Sequence, residues 1–355
     1  MEREARHPLS NPKNATPFSE PMSSLQSHFI PHFHFTQITI ARNQTLLNER
    51  LEAFKFVISN TIDKAVRTMT GKEAHDKGSV PISTLPPEWP DHCQIGLCKL
   101  RRAVVQANNA YWSGPGTIGP NSETVEAPKR GTVYALAWAP ETRTATIAFR
   151  GTASAGAWVQ DFDQVLALVP VTPILHSMFP EARVHQGFLE QFEQVGAKAM
   201  GPAWSLKHRL LRLSGGVDPA LIIITGHSLG GGVAVIASVW ASAVWPAAAI
   251  RVVTFGAPKV GNSEWNDAVG AVVGRQWRVV NRWDMVPELP IFLGYEQGAL
   301  GAWLPTNASL VLAPRPRPPD PPGYAAFNWD NHACTQYRVA LLNVERVSAP
   351  DWVVN

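Results

Sequence analysis

One short stretch, Thr225-Gly226-His227-Ser228-Leu229-Gly230-Gly231-Gly232, sets a serine between glycines two residues to either side. A serine hydroxyl becomes a useful nucleophile when it is held on a tight strand-to-helix turn, and glycines at those positions leave room for the strained backbone. The flanks fit such a turn. Leu221-Ile-Ile-Ile-Thr225 is a short apolar run of strand length, and Val233 to Ile250 is apolar at helical length, ending near Pro246. The turn places Ser228 at a helix N-terminus, where the amide of Leu229 points at the oxyanion formed when a carbonyl is attacked. A phosphate loop would need Gly-Lys-Ser/Thr, and a dinucleotide fingerprint Gly-x-Gly-x-x-Gly with an acid some twenty residues on. Neither pattern occupies this turn, so the chemistry indicated is nucleophilic acyl transfer.

A serine nucleophile needs a base, and in the strand-turn-helix hydrolases the order along the chain is serine, acid, histidine. His332 is the one histidine that follows Ser228, and so is the base by elimination. The acid is less restricted, with Glu264, Asp267, Asp284, Glu288, Glu296, Asp320 and Asp330 all following the serine. Asp284 directly follows a predicted core strand, Trp277 to Asn281, and precedes Val286-Pro287, which stiffens the turn presenting it. Asp330, two residues before His332, is its rival. Asp284 is favoured on its place after a strand. His227 reads as a packing residue of the elbow.

The elements that must position these groups are those of an α/β chain. Thr132 to Trp138 and Thr144 to Phe149 read as a hairpin turning at Pro140-Glu-Thr; 221–225, 250–255 and 277–281 read as buried strands. Helical stretches at 188–213, 229–245 and 263–273 lie between and around them. Such alternation predicts a mostly parallel central sheet flanked by helices. Leu97 to Trp112 and the residues after His332 also read as helical. Leu85-Pro-Pro-Glu-Trp-Pro90 marks the expected boundary between an N-terminal extension, 1–90, and a hydrolase domain, 91–355. The extension contains a predicted helix, Thr45 to Thr68, and the cluster His28, His32, His34, whose spacing fits no single helix or strand face; it reads as a partly ordered arm, not a metal site. Ala313 to Pro322, with its run of prolines, reads as a stiff surface loop.

Composition narrows the function classes. With 31 basic and 28 acidic residues, a formal charge of +3 and no dense Lys/Arg stripe, nucleic acid is not an expected partner. Cys93, Cys98 and Cys334 cannot all pair with one another and complete no zinc pattern, so they read as free thiols, and no metal or cofactor is expected. No segment reads as a transmembrane span, and the polar residues 1–20 lack the apolar run of a secretory leader. The compartment stays open, tilted toward intracellular; oligomeric state is not legible.

Five blocks in order resemble the class 3 lipase family of α/β-hydrolases: Phe149-Arg-Gly-Thr152 with Trp158-Val-Gln-Asp161, Val184-His-Gln-Gly-Phe188, the elbow, Thr254-Phe-Gly-Ala-Pro258 with Val260-Gly-Asn262, and Asn281-Arg-Trp-Asp284-Met-Val-Pro287. The resemblance implies an α/β-hydrolase fold and a Ser228–Asp284–His332 triad. It also implies Thr152 as the second oxyanion donor beside Leu229, a lid over Ala153 to Val171, and hydrolysis of acylglycerols, with phospholipid, galactolipid or soluble-ester substrates as alternatives. His185 is left structural. Trp158, Val159 and Phe162 are the candidate lid and acyl-binding residues, and the lid's apolar content points to action at a lipid–water interface. Transfer of Trp158 and Phe162 into a lipid phase would offset the cost of opening by about 1.5–3 kcal/mol for each. Activity on a medium-chain ester should therefore rise steeply where monomers give way to aggregates, and Trp158→Ser or Phe162→Ser should blunt the rise. Rate measured across the solubility limit checks this; a simple saturating curve, unchanged by either substitution, would make the segment fixed structure.

Overall fold

The computed structural model describes residues 96–112, 116, 118–126, 132–152, 168–171, 176, 179–196, 205–273, 275–290, 294–298, 300–305, 308–314 and 329–348. The N-terminal extension, with its predicted helix and histidine cluster, the lid candidates 153–167 and the proline-rich run from 315 lie outside the described residues.

The apolar runs read as strands do form the centre of a sheet. The strands are β1 (Ser122–Glu126), β2 (Val133–Ala139), β3 (Thr144–Phe149), β4 (Leu168–Pro170), β5 (Arg183–His185), β6 (Leu221–His227), β7 (Ala249–Phe255), β8 (Arg275–Asn281), β9 (Leu300–Leu304), β10 (Ser309–Pro314) and β11 (Arg346–Ser348). Nine of them pair in the order β1-β2-β3-β6-β7-β8-β9-β10-β11, while β4 and β5 make a separate antiparallel ribbon. From β3 through β9 every neighbouring pair is parallel. Within this sheet antiparallel pairing is confined to β1-β2-β3 and β9-β10. Parallel strands are buried on both faces, which is why β6 and β7 read as unbroken apolar runs. By contrast, the sequence reading passed over β1, Ser-Glu-Thr-Val-Glu, because a polar edge strand with Val125 as its one buried residue carries no such run.

The helices are α1 (Leu97–Asn109), α2 (Gln186–Gly196), α3 (Leu206–Leu213), α4 (Leu229–Val244), α5 (Ser263–Val272) and α6 (Cys334–Leu342). Two sequence expectations are corrected here. The single helix over 188–213 is two, and the second begins where the Ser205 hydroxyl accepts the His208 amide at 3.1 Å. The loop expected from Ala313 starts too early, since Ala313 and Pro314 close β10. There β10 pairs with β9 alone, its pairing with β11 ending at Val311, so a residue without an amide hydrogen is tolerated.

Val253 and Phe255 of β7 and Val279 of β8 pack under α1 and α6, whose Leu100, Val104, Tyr337 and Leu341 complete that half of the core. On the alternate face Val252 and Thr254 are also buried, against α4. Apolar on nearly every side, α4 is the interior helix, with α2 and α5 packed outside it. α1 and α6 are joined at their ends as well. The Arg101 guanidinium donates to the carbonyls of Leu341, Leu342 and Val344 at 2.9, 3.2 and 2.9 Å, satisfying acceptors that the end of a helix leaves open. The cysteine reading is also corrected: Cys98, on α1, is disulfide-bonded, while Cys334 is a free, buried thiol; Cys93 lies outside the described residues.

His185, on β5, is 1% exposed and stacked on Phe188 with ring centroids 4.3 Å apart. Burial pushes its imidazole down to about 4, so the folded chain keeps it neutral where an unfolded chain would take a proton. A depressed histidine withdraws stability as pH falls from its unfolded value near 6.5 toward 4, by on the order of 3 kcal/mol in all. Calorimetric Tm should fall across that window, and part of the fall should be absent in His185→Gln. An identical pH dependence in the variant would assign the loss to other groups.

Candidate active site

The elbow is built from steric permission and a covering of hydrogen bonds. Ser228 has φ 58° and ψ −133°, a left-handed conformation that side chains rarely adopt. A Cβ on Gly226 would strike the Gly230 carbonyl, and one on Gly230 would strike the Phe149 carbonyl, so both must be glycine for β6, β3 and the start of α4 to meet. The Ser228 amide donates to the Phe255 carbonyl at 2.9 Å, and the Ser228 carbonyl receives the Gly231 amide at 2.9 Å. Ser228 is thereby fixed to β7 and to the first turn of α4.

The structure brings Ser228, Asp284 and His332 into one hydrogen-bonded chain. His332 Nε2 lies 2.8 Å from Ser228 Oγ, and His332 Nδ1 lies 2.8 Å from Asp284 Oδ2. A carboxylate can only accept, so the proton sits on Nδ1 and Nε2 is left to accept from the serine. Asp330 is exposed, and its carboxylate is not the one that faces Nδ1. Asp284 is buried with three donors around it: His332, the Tyr337 hydroxyl at 2.6 Å on Oδ2, and the Val286 amide at 2.9 Å on Oδ1. Burial, and then the charge of Asp284, raise Tyr337 well above its ordinary range and keep it a donor. The loop carrying Asp284 is anchored twice, by the Asp284 amide on the Asn281 carbonyl at 3.0 Å and by Asn281 Nδ2 on the Asn331 carbonyl at 2.9 Å. The second bond ties the Asp284 loop to the one that carries His332.

The strand β3 ends beside the serine. An ideal Cβ on Gly151 would sit 3.0 Å from Ser228 Cβ, so the backbone leading to Thr152 passes against the nucleophile. Thr152 Oγ1 is buried with no hydrogen-bond partner among the described residues, and Leu229 is buried at the first position of α4. Trp158, Val159 and Phe162 lie outside the described residues. Among the described residues there is no cluster of His, Cys, Asp and Glu that could hold a metal ion.

Several contributors have no role in the sequence reading. Tyr337 lies five residues after His332 in a stretch read only as helix, and Gly256 sits in a block noted only for its resemblance. Tyr111 hydrogen bonds to His227 Nδ1 at 2.7 Å, and His227 Nε2 lies 2.6 Å from the His332 carbonyl. His227 packs in the elbow as expected, but it also makes polar contacts on both ring nitrogens. A polar ring next to a nucleophile and flanked by buried residues was the available signal.

A mostly parallel sheet, a serine on a strand-to-helix elbow after its central strand, and a Ser-His-Asp hydrogen-bond chain define a chain of the α/β-hydrolase type. Residues 146–293 match the model of the family described as Lipase (class 3). This stretch includes Thr152, Ser228 and Asp284; Tyr111, His332 and Tyr337 fall outside it. The chain is 33% identical over 123 residues to secreted mono- and diacylglycerol lipase 1 of Fusarium solani, covering 34% of this chain and 34% of that protein. It is 27% identical over 174 residues to phospholipase A1 EG1, chloroplastic/mitochondrial, of Oryza sativa subsp. indica, covering 45% of this chain and 40% of that protein. It is also similar to a solved lipase from Rhizopus microsporus var. chinensis, with 23% identity and a TM-score of 0.47 over 59% of this chain and 74% of that one. The chain spans a third to two fifths of the length of these two curated relatives.

Gly256 has φ +57°, and a Cβ there would lie 2.7 Å from Asp284 Oδ2 and 3.0 Å from His332 Nδ1. Gly256→Ala should push Asp284 and His332 apart and lower kcat on a soluble ester by on the order of 10²-fold, the effect expected of misplacing reacting groups by about 1 Å. Gly270, on α5 with open space around its Cα, is the control. Gly270→Ala should leave kcat unchanged and Tm equal or higher. Full activity in Gly256→Ala would show that the pair tolerates the methyl.

Proposed function

We propose that the chain is a serine ester hydrolase that releases fatty acids from acylglycerols through an acyl-enzyme. The reading is carried by the unbroken hydrogen-bond chain from Ser228 Oγ through His332 to Asp284. As Ser228 Oγ attacks the ester carbonyl carbon, His332 Nε2 takes the hydroxyl proton and becomes an imidazolium beside the Asp284 carboxylate. The tetrahedral oxyanion is met by the amides of Thr152 and Leu229, with the partnerless Thr152 hydroxyl as a third donor. Collapse breaks the bond to the alcohol, which leaves with the proton from Nε2, and the acyl group stays on Ser228. Water then attacks the acyl carbon, His332 takes its proton and returns it to Ser228 Oγ, and the fatty acid departs.

Acylglycerols come first because of the lipid-facing character read in 153–171 and the similarity to the Fusarium solani mono- and diacylglycerol lipase. Phospholipid acyl hydrolysis is the second reading, favoured by the similarity to several plant phospholipases A1. The same triad serves both, so the division lies in how the walls around Ser228 receive a phosphate headgroup.

Fluorophosphonate labelling should mark Ser228 in the wild type and fail in Ser228→Ala, which should also lose on the order of 10⁴-fold or more in turnover with the fold intact. Asp284→Asn should be severely impaired and Asp330→Asn close to wild type. Thr152→Ser should be nearly neutral, whereas Thr152→Val should lose on the order of 10²-fold. Fatty-acid release from a triacylglycerol emulsion and from phosphatidylcholine vesicles decides between the substrate classes. Retained turnover in Ser228→Ala would end the serine-hydrolase reading.

A further inference from the structure

His227 stands next to the nucleophile in the chain, yet it makes no contact with Ser228 Oγ. Its ring lies over that of His332, with centroids 4.7 Å apart and planes tilted by 35°, and meets the edge of Tyr337 at 5.8 Å. Each nitrogen has a partner of fixed sense. Nε2 faces the His332 carbonyl at 2.6 Å, and a carbonyl can only accept, so Nε2 carries the proton. Nδ1 must then accept, and the Tyr111 hydroxyl at 2.7 Å is the donor. The same hydroxyl packs against Gly151, one residue before Thr152, where an added Cβ would strike it.

We propose that Tyr111 and His227 are positioning residues for ester hydrolysis, a hydrogen-bond relay of fixed direction from Tyr111, packed against Gly151, through His227 to the main chain of His332, which ties the base to the oxyanion strand. This rests on the reading of Ser228, His332 and Asp284 as the triad. The relay has two effects. It fixes the carbonyl of the residue that carries the base, so that Nε2 keeps its 2.8 Å approach to Ser228 while the ring gains and loses a proton. It also occupies the one lone pair through which His227 could become a cation. That matters because His332 must turn into an imidazolium during acylation, and a second positive ring at 4.7 Å would oppose it.

The surroundings favour a neutral His227 throughout. Burial, followed by the neighbouring His332, holds its imidazole well below the ordinary histidine range. The titratable groups that face the relay are Tyr111 at the end of α1, His332, and Cys334 and Tyr337 on α6; Asp284 lies behind Tyr337, and Arg150 at the end of β3 acts on Tyr111. Burial raises Tyr111, Tyr337 and Cys334 alike, so all three stay protonated and uncharged at neutral pH. Removing the Tyr111 hydroxyl frees Nδ1 to take a proton, and the protonated form is the inactive one.

The test uses the full chain on 4-nitrophenyl butyrate, a soluble ester, with kcat and KM measured from pH 5 to 9, and histidine ring nitrogens followed by ¹⁵N NMR. Tyr111→Phe should lower kcat at pH 8 by about tenfold, the effect of one lost hydrogen bond, with KM within about twofold. Its acid limb should move to higher pH by about one unit, as expected when a donor opposing the charged form is removed. His227→Gln keeps an amide donor for the His332 carbonyl and cannot titrate, so Tyr111→Phe/His227→Gln should return the acid limb to its wild-type position. In the wild type, the His227 ring should show a neutral Nε2–H tautomer across the range. A lower kcat with an unmoved acid limb in an active, folded Tyr111→Phe chain, or a His227 that titrates in the wild type, would overturn the relay alone. A wild-type chain that hydrolyses no ester while His227 keeps its fixed tautomer would overturn the triad reading, and the relay's role in hydrolysis with it.

Discussion

The backbone at Ser228 is held where an isolated chain would not go, and the rest of the molecule is arranged around keeping it there. Left-handed strain at a residue with a side chain costs on the order of 1–3 kcal/mol. Against this stands α4, whose Val233, Val235, Ile236 and Val239 are all buried, each contributing roughly 1.5–3 kcal/mol by leaving water. Four such side chains outweigh one strained residue several times over. The strain persists because the helix that begins there cannot be withdrawn without exposing the interior of the sheet. The glycines at 226 and 230 supply no energy of their own; they remove the collisions that would otherwise forbid the approach of β3, β6 and α4.

Around the strained serine the site is polar and yet closed off from water, a combination that works only when the groups satisfy one another. Asp284 is the clearest case, a carboxylate with no exposed side-chain surface surrounded by three donors from three different segments. His227 is the neutral counterpart, a buried ring with a partner on each nitrogen. Thr152 Oγ1 is an exception, buried just after β3 with no partner among the described residues. An orphaned hydroxyl is costly in a dry site unless something arrives to occupy it.

What the sequence made legible follows from how local each signal is. The elbow, the buried strands and the interior helix each announce themselves within a dozen residues, through glycine spacing or an unbroken apolar run. His332 could be found because chain order leaves one histidine. Asp284 could be favoured over Asp330 because a strand end is a rigid place to present a side chain. The rest depends on contacts across the fold. Tyr337 acts on Asp284 from 53 residues away and Tyr111 on His227 from 116, and neither residue differs locally from an aromatic in any amphipathic helix. β1 was missed for the opposite reason: its pairing with β2 is made by backbone groups, and its side chains record almost nothing of it. The disulfide at Cys98 is a fact about redox history and proximity, and three cysteines in a sequence do not disclose it.

The clamp between α1 and α6 has a consequence for how the chain comes into being. Arg101 reaches the carbonyl of Leu341 across 240 residues, and the face of β7 and β8 on which both helices lie is covered only when the two have met. During synthesis from the N-terminus, the elbow, β7 and the Asp284 loop can all be in place while the base is still unmade. Contacts of such long sequence separation form late, since the entropy of closing the loop must be met before any packing is gained. The hydrogen-bond chain from Ser228 to Asp284 is therefore closed only once the residues around α6 are in place. A chain shortened to end before His332 would hold Ser228 and Asp284 without the ring that joins them.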